Sequence, residues 1–133
     1  MQFSIRVQNA RLDSIETTIG TAPILQIFSG PIPANCAAAS TGTVLSSMTL
    51  PVDWMNNASG GTKTKLGTWQ QLSASNTGTA GYFRVFDSGG VNCDIQGTVT
   101  ASGGGGDMIV STISFVAGAS VTVNTFTWTD GNG

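Results

Sequence analysis

The chain has 133 residues and no histidine, with five Lys/Arg and seven Asp/Glu giving a net charge of −2. That length suits one domain over residues 1–133. Arg6, Arg11, Lys63, Lys65 and Arg84 are scattered, which excludes the basic stripe of a nucleic-acid binder and argues against binding to an anionic membrane.

In chain order, Phe3, Ile5 and Val7 alternate with polar residues, predicting a short strand with one buried face. Residues 1–8 then form an extended N-terminal contact segment. Asn9 caps a helix whose apolar stripe is Leu12, Ile15 and Ile19, and Gly20 ends it. Everything afterwards reads as β. Ile24–Phe28 is an apolar run closed by Ser29-Gly30-Pro31. Pro31, Pro33 and Ala37–Ala39 make a loop, and Thr43–Leu50 returns to strand before Pro51. Val52–Met55 leads into a polar loop at Asn56–Gly61, and Leu66–Leu72 is a further candidate strand.

The second half is clearer. Tyr82–Phe86 and Val91–Ile95 flank Asp87-Ser88-Gly89-Gly90, a hairpin with its turn glycines. The run Gly103–Gly106 predicts another hairpin loop. Met108–Val116 and Ser120–Thr129 are the last strands, joined through Ala117–Ala119. In the final one, Val121 and Val123 share one face while Phe126 and Trp128 share the other, which predicts a bulge or a strand covered on both faces. The pattern is mainly β, an antiparallel β-sandwich or barrel with one short N-terminal helix.

No motif carries chemistry. A phosphate loop needs a helix after its glycines and usually a Lys, and Gly103–Gly106 has neither. Asp87, Asp94, Asp107 and Asp130 are carboxylates without a selecting pattern, and turn chemistry accounts for them. A nucleophilic serine would lack a histidine base, and no Ser-x-x-Lys stands near Lys63 or Lys65. No catalytic, cofactor-binding or metal residue is assigned, no cofactor is expected, and the chain reads as no enzyme. Cys36 and Cys93 are either two part-buried thiols or a disulfide formed after release from the cell; without histidine they fall short of a zinc site. Trp54, Trp69, Trp128 and Tyr82 fill the core or stack on sugar rings, as in a carbohydrate-binding module. Trp54, next to a polar loop, is expected to be half-exposed.

No charged side chain occurs from Thr17 through Val52, or from Met108 through Thr129. Charge normally keeps monomers apart, so weakly charged surface favours self-association or packing onto partners. The first residues lack the apolar core of a secretory signal, and no apolar run approaches a membrane span, so synthesis in the cytoplasm is expected.

One segment carries a resemblance. Asn9–Gly20 runs into Pro23–Gly30, then Pro33–Ala39 and Thr41–Leu45. This order resembles a family of small structural proteins of tailed bacteriophages. The similarity continues through Gly78–Ser88, the glycine run with Asp107, and Val121–Asn132. It implies a virion component made in the host cytoplasm, with the major capsid protein or other virion proteins and further copies of itself as partners. A capsid decoration (cement) protein is the first expectation, and a tail, neck or fibre-base component the alternative. Contacts are expected in residues 1–8, 31–41 and 56–65.

Overall fold

A computed structural model describes residues 1–131. Asn132, the last position of the resemblance, lies outside the described residues. The elements are α1 (Ile5–Ile19), β1 (Ile24–Ser29), β2 (Val44–Thr49), β3 (Thr62–Thr64), β4 (Gln70–Gln71), β5 (Gly78–Phe86), β6 (Cys93–Ala101), β7 (Met108–Val110), β8 (Ser114–Phe115) and β9 (Val121–Thr129). The fold is mainly β with one N-terminal helix, and its strands form a curled mixed sheet, a half-barrel. The strand order is β2-β1-β5-β6-β7-β9-β3, with β4 also on β9 and β8 on β5.

The N-terminus departs from the sequence reading. Ile5 and Val7 belong to α1, and no strand forms there. Ser4 is the N-cap in place of Asn9, its Oγ accepting from the Val7 N–H at 3.3 Å. The helix buries Gln8, Leu12 and Ile19, so its inward stripe begins a turn before Leu12 and leaves out Ile15, which is exposed. A polar Gln8 hides that turn from a hydrophobic pattern. Ile5 is left 51% exposed, and Arg11 stacks over the Phe3 ring at 4.8 Å. Only residues 1–4 precede the helix, which shortens the extended segment expected over 1–8. Gly20 ends α1 as expected: its φ is +92°, and its N–H bonds the Glu16 carbonyl.

The hairpin of β5 and β6 matches its sequence signature, pairing Tyr82 with Thr98 through Phe86 with Cys93. Asp87 holds the turn, its carboxylate accepting from the Val91 N–H at 3.0 Å and from Asn92 Nδ2 at 2.7 Å. The glycine run does something else. It joins β6 to β7 in parallel, with Val99 opposite Met108 and Ala101 opposite Val110. Parallel strands ordinarily need a crossover of a dozen or more residues; here residues 102–107 suffice. The chain doubles back over Thr100 so closely that a Cβ on Gly104 would lie 2.5 Å from the Thr100 Cβ. Gly103 and Gly105 take φ values of +86° and +74°. Asp107 seals the return, its Oδ2 accepting from the Thr98 N–H at 2.8 Å and the Thr98 hydroxyl at 2.9 Å. Among the described residues, this pair is the exception to an otherwise antiparallel ladder.

The expected strand over Met108–Val116 is divided. β7 ends at Val110, and β8 leaves it to pair with β5. The parity change in β9 is a bulge: Ile109 faces Thr125 and Val110 faces Val123, leaving Asn124 unmatched. Val123 and Phe126 thereby both reach the core. Over Leu66–Leu72 only Gln70–Gln71 is strand, and β3 forms instead directly after the polar loop at Asn56–Gly61, where no strand is expected from the sequence. These two short strands pair with opposite ends of β9.

The curl of the sheet brings β4 back to β2. The Gln71 side-chain carbonyl accepts from the Ser47 N–H at 3.1 Å and the Ser46 hydroxyl at 2.6 Å. Ser75 N–H donates to the Leu45 carbonyl at 2.9 Å, and Asn76 Nδ2 to the Val44 carbonyl at 2.8 Å. Inside, Trp54 packs edge-on to Trp128 at 5.6 Å and tilted to Trp69 at 6.0 Å, and Phe126 stands edge-on to Phe83. Trp54 is buried, contrary to the half-exposed position expected for it, because its indole N–H reaches inward to the Gly20 carbonyl at 2.9 Å. Among the described residues, no helix is long and apolar enough to cross a membrane.

Candidate functional site

The chain's few charges are largely bound into its own architecture. Arg84, on β5, is buried beneath the loop at 31–41. Its Nη1 donates to the Ala38 carbonyl at 2.8 Å, and its Nη2 to the Asn35 carbonyl at 3.1 Å and to Gln96 Oε1 at 2.9 Å. Gln96 Nε2 in turn donates to the Pro33 carbonyl at 2.8 Å. Tyr82, two residues before Arg84, stacks on Phe28 with ring centroids 4.8 Å apart and bonds both the N–H and the carbonyl of Thr41. An uncharged loop with four carbonyls bonded from below is thus held on the outer face of the sheet, while Ile32 remains exposed at its surface.

The loop at 56–65 is held differently. It docks on α1: the Ala58 N–H donates to Asp13 Oδ1 at 2.9 Å, and the Gly61 N–H to Asn9 Oδ1 at 2.9 Å. Lys63, on β3, is buried and places its Nζ 2.7 Å from Asp13 Oδ1 and 2.6 Å from Glu16 Oε2. Burial opposes the charge on Lys63, but the hydrogen bonds to Asp13 and Glu16 outweigh it and raise the lysine above its ordinary value. The Lys63 bond and the Ala58 N–H hold the Asp13 carboxyl below its own. Of the three segments expected to make contacts, 31–41 presents uncharged surface, 56–65 is occupied with the helix, and the second half of 1–8 is helical.

A concavity of about 720 Å³ lies between α1 and the ends of β6 and β9. Trp128 lines it, with Asp94, Asp107 and Asp130 around it. The fold therefore gathers three of the four aspartates that spacing alone did not group, and leaves Asp87 in its turn. Two of the three are engaged. Asp107 holds Thr98, and Asp130 pairs with Arg11 at 3.3 Å. Asp94 is pushed above its ordinary value by burial and then by the charge of Asp87. Among the described residues, no group of three His, Cys, Asp or Glu side chains is placed to hold a metal. Trp54, Trp69 and Tyr82 are buried and offer no face to a sugar, whereas Trp128 is partly buried at the groove. Cys36 and Cys93 are free, half-buried thiols.

No protein-family model, curated protein or solved structure matches this chain.

Proposed function

We propose that the chain is a structural protein of a tailed-bacteriophage virion. It is made in the host cytoplasm and binds the major capsid protein and neighbouring copies of itself as a decoration (cement) protein. The resemblance of residues 9–45 to small virion proteins supports this reading, and the observation that carries it is the uncharged loop at 31–41, fixed by Arg84, Tyr82 and Gln96. A loop already ordered loses little conformational entropy on binding, and a surface without charges has little to desolvate. Both lower the cost of a small contact, and the gain of each contact is compounded when copies engage a symmetric shell together.

The test is copy number. Purified virions of the encoding phage, resolved on a denaturing gel, are expected to show the 13.6 kDa chain at high copy. A few copies per particle would move the protein to the tail, neck or fibre base. Absence from the particle would overturn the structural reading. Replacing Ile32 with Asp on the exposed loop is expected to abolish incorporation without unfolding the monomer, since Ile32 lies outside the core.

A further inference from the structure

Neither cysteine has a part in the contact reading. Cys36 sits in the turn of the 31–41 loop, and Cys93 opens β6. The loop is tied to the sheet on both sides of Cys36, through Pro33 to Gln96, through Asn35 to Arg84 and through Ala38 to Arg84. Arg84 faces Gln96 across the β5–β6 ladder, and Phe86 faces Cys93 two residues further along β5. The anchoring therefore carries Cys36 over the start of β6, where its thiol lies close enough to Cys93 to act on it electrostatically.

We infer that Cys36 and Cys93 are a disulfide-forming pair, oxidised by a small-molecule disulfide of the glutathione type, and that the bridge latches the 31–41 loop covalently to β6. In the first step a cysteine thiolate attacks one sulfur of the glutathione disulfide, forming a mixed disulfide and releasing one glutathione thiolate. In the second, the other cysteine gives up its proton and attacks the protein sulfur of that mixed disulfide, expelling the second glutathione. Two protein thiols lose two protons and two electrons, and one small disulfide becomes two thiols.

Burial, the hydrogen bond to Cys36 and the charge of Cys36 push the Cys93 thiol up to about 12. At neutral pH Cys93 is therefore a thiol and a poor external nucleophile. The first exchange falls to Cys36 on the loop, and closure speeds up as pH rises. Two sulfurs alone fall short of a metal site, so the pair's available chemistry is with each other.

The experiment uses the full chain, first reduced and then incubated with oxidised glutathione at pH 8. Mass spectrometry of the unreduced digest is expected to show one peptide pair linked through Cys36 and Cys93, with both free thiols lost. The oxidised monomer is expected to melt roughly 5–15 °C higher, because the bridge closes a long loop, and to return on addition of dithiothreitol. The Cys93→Ser variant should instead stop at a stable glutathione adduct on Cys36. Retention of both thiols, a glutathione adduct as the end product of the unsubstituted chain, covalent dimers in place of the internal bridge, or an unchanged melting temperature after bridging would each overturn the inference. None of these readouts depends on a virion, so this inference and the virion reading fail separately.

Discussion

Replacing Lys63 probes how the helix is held to the half-barrel. The lysine side chain is 1% exposed, and its partners Asp13 and Glu16 are 45% and 20% exposed. Lys63→Met keeps most of the buried stem and removes the ammonium. Because both carboxylates reach solvent, the ion pairs are screened, and their loss is worth about 1–3 kcal/mol rather than the larger cost of a sealed pair. Lys63→Ala also empties the stem's place in the packing, for a total of about 3–5 kcal/mol. Urea unfolding followed by tryptophan fluorescence measures both. The pH dependence separates charge from packing. Asp13 has a depressed folded pKa, so its contribution is present above its unfolded value near 4 and is lost as pH falls through the folded one. Lys63 has a raised folded pKa, so its contribution is complete below about 10.4 and is lost as pH rises through the folded value. The gap between the unsubstituted chain and Lys63→Met is therefore flat from about pH 5 to 10 and narrows on both sides. A gap as wide at pH 2.5 as at pH 7, or a Met variant no less stable at neutral pH, would refute the account.

Arg84→Met is expected to cost about 2–4 kcal/mol and to release the 31–41 loop, making it the first site of limited proteolysis while the β5–β6 amides stay protected from exchange. In the glycine run, Gly103→Ala meets only a backbone penalty of about 1–2 kcal/mol, since nothing lies within 4 Å of its Cβ. Gly104→Ala meets the Thr100 side chain and is expected to cost about 2–3 kcal/mol. Calorimetric melts that rank the two alanines the other way would contradict the tight return over Thr100.

What could be read from the sequence was what short-range chemistry decides. Gly20 stops α1 because a left-handed residue is needed there, and the Asp87 turn announces itself by its glycines. The switch from Val123 to Phe126 shows the bulge because side-chain alternation cannot change face without one. What stayed hidden depends on partners far along the chain. Lys63 and Gln8 are polar residues at inward positions, so a hydrophobic pattern misses both the true start of the helix stripe and β3. Trp54 beside a polar loop looks like surface until Gly20 supplies the acceptor for its indole. A glycine run does not reveal whether it returns antiparallel or parallel; Thr98, Thr100 and Asp107 decide that through bonds no spacing rule anticipates. At the candidate site, the gap in charge was visible, but the Arg84 clamp beneath the loop was not.

The closure by Gln71 also bears on solubility at high concentration. An open β2 would expose a row of N–H and carbonyl groups, the usual template for adding a strand from another molecule. With the Ser47 N–H and the Val44 and Leu45 carbonyls already satisfied from within the chain, the sheet is poorly placed to continue into a neighbour. Copies crowded together at synthesis are thereby steered away from fibre growth along this edge, and association is left to side chains and loops, which can be geometrically selective and reversible.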